Sequence, residues 1–448
     1  MINQLLRTRT ASTLRRKAIK VGFRILRPEV HQSYRQAVTW EKLPNSAVKK
    51  AQLEKLNKVL QAHLSRDWFR AFWEANGGPP LPLESLEEFK SFSGTTRTFL
   101  AEHHHRVAQQ PEVVRELSTS GSSGQNLFFH HSQEMVDGRT AIVRRCNQWV
   151  GFDNWGAHSI SVWGLSPDAS LSYLAKTGLK RFVLGTEILS AYGMDDAKAL
   201  EFARTIVERQ PVAVNAYPSY LAQLARVALD AELSPLEDTV VTWGGEQALD
   251  QDLETIRAFF GNRVYGRYGS QEFGTIAHQV PWRNGYVVAP TRFLLDNDSN
   301  GELVVTDLDN RATPFLRYKI GDAGTVEEID ADDEPGRQVI THLEGRSHDR
   351  ITTPNGRLLP GQFWTLLSRV VPGIIAYQVA HRPPTEIRMR AVVDDEKFPA
   401  DGPVKIAEHA EELLKGEMDF AVEVIDELER TDRGKRRFIV RLPPLQEE

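Results

Sequence analysis

The sequence is poor in cysteine, in long apolar runs and in charge of one sign. Its 448 residues include a single cysteine, Cys146, which excludes an internal disulfide framework and a cysteine-cluster zinc site and favours a reducing, cytoplasmic location. No apolar run approaches the roughly 20 residues of a bilayer-spanning helix. The formal net charge is −5 at pH 7, so composition gives no reason to expect nucleic acid as a partner.

The rest of the composition is typical of a globular protein with two or three domains, since 41% of the residues are hydrophobic and 26% are charged. The N-terminus departs from this average, because residues 1–28 contain eight basic side chains and no acidic one. Apolar residues scattered among them predict a basic amphipathic helical arm over residues 1–36. Such a helix either packs on the body of the protein, which we favour, or makes weak contact with an anionic membrane surface.

Glycine and hydroxyl side chains are concentrated in residues 118–126, which read Ser-Thr-Ser-Gly-Ser-Ser-Gly-Gln-Asn. Gly121 and Gly124 let the backbone turn tightly and expose its N–H groups. Hydroxyl groups beside them are additional donors, so the segment is suited to hold phosphate oxygens. A flexible Ser/Gly linker is the alternative interpretation. The hydroxyl donors are those of Thr119, Ser120, Ser122 and Ser123.

Short apolar segments alternate with helical patterns in the middle of the chain, which predicts a layered α/β domain with a largely parallel sheet. In such sheets ligands bind at the carboxyl ends of the strands. Short helices are predicted just before the Ser/Gly segment, at residues 84–92 and 110–117. The predicted strands are residues 159–163, 181–184, 212–216, 239–243 and 263–268, and the helices between them are residues 195–209, 219–229 and 250–260.

Polar motifs follow two of these strands. Gly244, Gly245 and Glu246 come directly after one strand, and residues 268–272, Tyr-Gly-Ser-Gln-Glu, end the next. A carboxylate that faces a phosphate loop needs a cation between them, so Glu272 predicts a Mg²⁺ site. An antiparallel region follows and carries another exposed carboxylate, Asp322. From Asp349 onwards the pattern predicts a small α+β domain, with a basic turn at residues 429–438.

Five segments, in this order, resemble the motifs of the adenylate-forming superfamily, which includes acyl-CoA synthetases, peptide-synthetase adenylation domains and luciferases. The resemblance covers roughly residues 85–440 and is nearest to the phenylacetate-CoA ligase branch, with its capsule-associated, CapK-like proteins. The segments are the phosphate loop at 119–124, the tyrosine motif at 268–272, the aspartate motif at 317–322, the hinge signature at 345–349 and the lysine motif at 431–435.

This resemblance implies a large multi-layer α/β domain, residues 37–348, and a small mobile α+β domain, residues 349–448, hinged at Asp349. It implies a two-step reaction in which a carboxylate attacks the α-phosphate of Mg·ATP and a nucleophile then takes the acyl group from the adenylate. Lys435 and Glu272 are the implied catalytic residues, with Glu272 holding Mg²⁺. The implied ATP site comprises Thr119, Ser120, Gly121, Ser122, Ser123, Gly124, Gly244, Gly245, Glu246, Tyr268, Gly269, Ser270, Asp322 and Arg346.

The substrates are a small carboxylic acid and an acyl acceptor. An acyl pocket is expected around Trp163, Tyr217, Trp243 and Gly274, whose aromatic rings favour an aryl or apolar acid. Coenzyme A is the expected acceptor. Because residues 352–357 replace the longer loop through which many members admit pantetheine, an amine or hydroxyl acceptor stays open. The alternative hypothesis from another class of function is a non-catalytic nucleotide-binding scaffold.

Overall fold

The computed structural model is helical in its N-terminal part. The helices here are α1 (Pro28–Trp40), α2 (Asn45–Leu64), α3 (Asp67–Ala75) and α4 (Arg97–Ala108), with a 3-10 turn at Glu88–Ser91. The structure describes residues 17, 19, 21–22, 24–120, 126–152, 156–163, 185–191, 194–245, 248, 250–299, 301–329, 337–344, 351–359, 361–426, 428 and 439–442. Among these, no helix has the length and apolar character needed to cross a membrane.

A β-hairpin and a helix come next, formed by β1 (Arg115–Ser120), β2 (Asn126–His131) and α5 (Gln133–Trp149). The predicted helix at residues 110–117 is wrong, because residues 115–117 belong to β1 and pair with β2. Pairing with a partner strand outweighs the local helical pattern. The helix α5 begins directly after Ser132, whose hydroxyl accepts a hydrogen bond from the Met135 N–H at 3.4 Å.

The centre of the protein is an 11-stranded sheet with the order β10-β11-β12-β13-β9-β8-β7-β6-β5-β3-β4. Strands β3 to β7 pair in parallel, and the remaining pairs are antiparallel. The strands are β3 (Ser159–Trp163), β4 (Thr186–Ser190), β5 (Ala213–Ala216), β6 (Val240–Gly244), β7 (Val264–Ser270), β8 (Gly274–Val280), β9 (Arg283–Val288), β10 (Phe293–Asn297), β11 (Glu302–Asp307), β12 (Tyr318–Glu328) and β13 (Gln338–Glu344). The predicted strand at 181–184 lies outside the described residues.

The two faces of the parallel half of this sheet differ. Val214, Val241, Trp243 and Val264 pack in one apolar cluster with the helices α6 (Asp196–Arg209), α7 (Pro218–Asp230) and α8 (Asp250–Phe260). Because side chains alternate along a strand, the residues between them lie on the opposite face, which is polar near the strand ends. The polar residues are Ser161, Asn215, Thr242 and Arg267.

The C-terminal residues form a smaller sheet with the order β18-β17-β16-β19. Their own apolar cluster surrounds Trp364, which is fully buried. The elements are β14 (Ile351–Thr352), β15 (Leu358–Leu359), α9 (Gly361–Leu367), β16 (Ile374–Arg382), β17 (Glu386–Val393), α10 (Gly402–Leu414), β18 (Asp419–Val424) and β19 (Ile439–Arg441). The predicted fold class is confirmed: a large α/β part precedes a small α+β part. The predicted boundary and hinge, residues 348 and 349, lie outside the described residues.

The predicted N-terminal arm overlaps α1, which packs on α5. Arg27 forms an ion pair with the buried Asp137 at 2.6 Å, and the Tyr34 hydroxyl donates to Gln148 at 2.7 Å. Val30 is fully buried. This part of the arm therefore packs on the body of the protein, which is the interpretation that the sequence favours.

Candidate nucleotide and acyl site

Two of the predicted motifs meet in space. The hydroxyl of Tyr268, near the end of β7, donates a hydrogen bond to Asp322 Oδ2 in β12 at 2.9 Å. The residues are 54 positions apart in sequence, and their strands are not neighbours in the sheet. Tyr268 is buried, whereas Asp322 keeps intermediate exposure. The contact holds a partly exposed carboxylate beside the carboxyl ends of the parallel strands.

The Gly-Gly segment after β6 leaves no room for side chains. Gly245 has a φ of +84°, and a Cβ there would lie 2.7 Å from Cε1 of Tyr217. A Cβ on Gly244 would lie 2.8 Å from the Arg267 carbonyl oxygen of the neighbouring strand. Both positions therefore require glycine. At this strand end the backbone packs directly against Tyr217 and the neighbouring strand.

Glu272 lies in the turn between β7 and β8 and is 6% exposed. Its carbonyl oxygen accepts a hydrogen bond from Nε2 of His131 at 2.9 Å. Burial lowers the pKa of His131 to about 3, so this imidazole is neutral at pH 7. Within the described part of the chain, no cation or hydrogen-bond donor contacts the Glu272 carboxylate.

The Glu272 carboxylate is suited to act as a metal ligand. An unpaired carboxylate with little exposure is costly unless a cation compensates it. Searched over the described residues, the structure contains no group of three or more His, Cys, Asp or Glu side chains that could hold a metal alone. A cation at Glu272 would thus take most of its ligands from elsewhere, which suits Mg²⁺, because this ion is usually bound by one or two carboxylates together with phosphate oxygens.

Three of the four predicted acyl-pocket residues lie in or against one apolar cluster, and the fourth, Gly274, has other neighbours. The rings of Trp163 and Tyr217 meet edge to face, with centroids 4.3 Å apart. Tyr217 and Trp243 are buried in the apolar cluster on the α6–α8 side of the sheet. Gly274 has a different partner, since a Cβ there would lie 2.6 Å from Arg139 Nε of α5. Two of the three aromatic rings are therefore core residues.

Comparisons with known proteins agree with this geometry. The chain is 23% identical over 337 residues to a phenylacetate-coenzyme A ligase of Pseudomonas putida, covering 70% of this chain and 74% of that protein. It is 21% identical over 340 residues to protein CapK of Staphylococcus aureus, covering 75% and 76%. No family model matches it.

A solved structure with a similar fold is that of 2-hydroxyisobutyryl-CoA ligase in complex with 2-HIB-AMP and CoA in the thioesterification state. It is 18% identical, has a TM-score of 0.57, and the alignment covers 89% of this chain and 91% of the other. The chain has the fold of the adenylate-forming superfamily. The resemblance seen in the sequence motifs, including its phenylacetate-CoA ligase and CapK-like branch, is thereby confirmed.

Several of the predicted site residues fall outside the part of the chain that the structure describes. Residues 121–125, Glu246, Arg346, Asp349 and Lys435 lie outside the described residues. Thr119 and Ser120 are the last residues of β1, where their backbones pair with Leu127 and Asn126. The roles of these residues, and those of Gly269 and Ser270 at the end of β7, stay predictions.

Sequence reasoning missed Arg267, which directly precedes the tyrosine motif at residues 268–272. Its Nη2 donates to Thr242 Oγ1 at 2.9 Å and also to Asn215 Oδ1. The available signal was an arginine inside an otherwise apolar strand, a position where charged residues are rare. Its partners lie on β5 and β6, and they become visible only when the strand order is known.

Proposed function

We propose that this protein is an ATP-dependent ligase that converts a carboxylic acid into an acyl-adenylate and then transfers the acyl group to coenzyme A. The observation that carries the proposal is the Tyr268–Asp322 hydrogen bond, which joins two nucleotide motifs at the carboxyl ends of the parallel strands. The carboxylate of Glu272, which has no partner among the described residues, lies two residues beyond the end of β7. Likeness to a phenylacetate-coenzyme A ligase and to a CoA ligase structure supports the same reaction class.

In the first step a carboxylate oxygen of the acid attacks the α-phosphorus of ATP, and the bond from that phosphorus to the leaving pyrophosphate breaks. We assign Asp322 to the ribose hydroxyls, held in position by Tyr268 and assisted by Arg346. The adenine is assigned to the backbone of Gly244 and Gly245 and to Tyr268. Residues 119–124 hold the β- and γ-phosphates through backbone N–H groups and hydroxyls.

Glu272 would hold Mg²⁺, which when bound neutralises charge on the phosphate oxygens. Lys435 is assigned to the charge that develops between the carboxylate and the α-phosphate, a role of positioning and electrostatics. In the second step the sulfur of coenzyme A attacks the acyl carbon, its proton is lost and AMP leaves. We propose that residues 349–448 rotate about Asp349 between the two steps.

An amine or hydroxyl acceptor is the second candidate, favoured by the compact turn at residues 352–357. The Thr353 N–H donates to the Arg357 carbonyl at 2.8 Å, and the Gly356 N–H donates to the Thr353 carbonyl at 2.9 Å. The guanidinium of Arg357 is buried and donates to the Leu413 carbonyl at 2.6 Å. This segment is thus anchored as a tight hairpin where many members have a longer loop.

The test is acid-dependent release of pyrophosphate from ATP, with hydroxylamine as a trap for the adenylate. We expect Glu272→Gln and Lys435→Ala to lower this rate on the order of 100-fold, because each removes several kcal/mol of charge stabilisation. The control is Glu328→Gln, a half-exposed carboxylate of β12. Unchanged turnover in both site variants contradicts the assignment. Adenylate that an amine consumes but coenzyme A does not would establish the second candidate.

A further inference from the structure

Arg267 is a cation without a carboxylate partner on the polar face of the large sheet. Its Nη2 donates to Thr242 Oγ1 at 2.9 Å and to Asn215 Oδ1, and both of these groups are neutral. Among the described residues, no Asp or Glu forms an ion pair with it. Burial lowers the pKa of the guanidinium to about 10, so Arg267 still carries its charge at pH 7.

The titratable groups near Arg267 are also neutral at pH 7. His278 pairs with Arg267 across β7 and β8, and burial, together with the charge of Arg267, lowers the pKa of this imidazole to about 3. Cys146 faces it from α5, and burial raises the pKa of this thiol to about 12. The positive charge of Arg267 is therefore not compensated by the described residues around it. A buried charge without a partner is costly.

Two nitrogen atoms of the Arg267 guanidinium have hydrogen-bonding capacity left within the described part of the chain. No described residue accepts a hydrogen bond from Nε or Nη1 of Arg267. Enclosed polar atoms without a partner occur elsewhere in the described residues, for example Nε2 of His278, but Nε and Nη1 of Arg267 are not among them. Arg267 as a whole keeps intermediate exposure. The N–H groups of Nε and Nη1 are thus left to donate charge-assisted hydrogen bonds to an oxyanion. They point away from each other, so they donate separately and not as a bidentate fork.

The position of Arg267 connects this charge to the reaction site. It directly precedes Tyr268 near the end of β7, so the two Cα atoms are about 3.8 Å apart, although the two side chains project to opposite faces of the sheet. Asn215, Thr242 and Arg267 come from three adjacent parallel strands, close to the carboxyl ends where ligands bind. Ser161 of the next strand pairs with Asn215 and extends the polar row.

We propose that Arg267, positioned by Asn215 and Thr242, binds a second oxyanion on the acyl substrate. The acid that this enzyme activates is then a dicarboxylate, or a carboxylic acid with a comparable anionic group at its far end. This inference rests on the proposed function. An aryl or apolar acid, as the aromatic residues favour, is the rival outcome.

The experiment compares matched pairs of acids that differ in one terminal group: hexanoate with adipate, and 4-methylbenzoate with terephthalate. The pair 3-phosphonopropionate and succinate separates a phosphonate from a carboxylate as the second oxyanion. Acid-dependent pyrophosphate release is measured for each, and binding of each acid is measured independently by calorimetry. The variants are Arg267→Met, which removes the charge, and Arg267→Lys, which keeps it. The matched control is Arg263→Met, an arginine that directly precedes the same strand and donates to the Asp238 carbonyl at 2.9 Å.

We expect the wild type to favour the dianionic member of a pair by about tenfold to a hundredfold in kcat/KM, as for a hydrogen-bonded charge. Arg267→Met should lose that preference while keeping turnover of the monoacid, Arg267→Lys should keep part of it, and Arg263→Met should keep all of it. A wild-type preference for the monoacid in every pair overturns the inference. An equal fall in kcat/KM for both members of a pair in Arg267→Met also overturns the inference, because Arg267 then binds the reacting carboxylate or only maintains the fold.

The binding measurement separates this inference from the proposed function. Binding of a dianionic acid that Arg267→Met abolishes, without pyrophosphate release, would support the oxyanion site and refute the ligase. Pyrophosphate release with monoacids alone would support the ligase and refute the oxyanion site. Absence of binding for every dianionic acid refutes the inference whatever the turnover.

Discussion

Two arginines of the large sheet region, Arg292 and Arg267, have opposite electrostatic surroundings. Arg292 is 1% exposed and forms ion pairs with Asp307 at 2.9 Å and with Asp309 at 3.2 Å. Its guanidinium also lies 4.6 Å from the centre of the Phe293 ring. Arg267 has only neutral partners among the described residues and keeps some exposure. The first arginine is satisfied within the fold, whereas the second has hydrogen-bonding capacity left for a ligand.

The difference separates stability from function. A buried cation between two carboxylates is part of the folded structure, and removing it leaves buried negative charge behind. A cation with neutral neighbours gains little from the fold, so removing it costs the fold little. Residues of the second kind are candidates for binding sites. The predictions below test this contrast.

The largest expected effect is that of Arg292→Met on stability. We expect the free energy of unfolding to fall by about 3–5 kcal/mol, because the buried Asp307 loses its cation. Urea unfolding of wild type, Arg292→Met and Arg267→Met measures this. Arg267→Met should be close to wild type or more stable. If it were as unstable as Arg292→Met, the contrast between the two arginines would fail.

A second prediction concerns acid stability and His278. Its pKa is about 3 in the folded protein and about 6.5 in the unfolded chain. Between pH 6.5 and pH 3, His278 is therefore protonated in the unfolded chain but neutral in the folded protein. Stability therefore falls as the pH is lowered from about 7 towards 3, and this residue accounts for about 2 kcal/mol of the loss at pH 5.

Urea unfolding at pH 7 and pH 5 checks this prediction, and His278→Gln should lose less stability between the two. His63 and His131 act in the same direction, since their pKa values are also lowered to about 3.

Arg267→Met tests the link between the two residues, because it removes one of the two causes of the low pKa of His278. Its acid-induced loss should be smaller than that of the wild type. An identical pH dependence would mean that the Arg267 charge does not reach His278.

The smallest expected effect is that of Tyr268→Phe. This change removes the hydroxyl that donates to Asp322 at 2.9 Å, a hydrogen bond to a charged group and thus worth about 1.5–3 kcal/mol. We expect about a tenfold or greater rise in the KM for ATP, with kcat/KM for the acid at saturating ATP largely kept. Steady-state pyrophosphate release measures both. A loss of stability with an unchanged KM for ATP would mean that this hydrogen bond stabilises the fold and does not contribute to ATP binding.

Much of the fold and of the candidate site follows from local sequence. Ser132 predicts the start of α5 because its hydroxyl caps the helix. The alternation of apolar segments and helical patterns predicts the parallel half of the sheet. The local sequence wrongly predicted a helix at residues 115–117, because their side chains are compatible with one. Their pairing with β2 depends on a strand that begins at Asn126, beyond the Ser/Gly segment.

By itself the sequence determined the order of the motifs, the glycines at 244 and 245, and the residue types that a nucleotide site requires, because each depends on a few neighbouring residues. Only the tertiary structure decided which of these groups meet. Tyr268 reaches Asp322 across 54 residues, and Arg267 reaches Asn215 across 52. Such contacts depend on strand order and on which face of the sheet each side chain occupies, and both are set by packing of the whole chain. For the same reason the charge balance of Arg267 cannot be read from its neighbours in sequence.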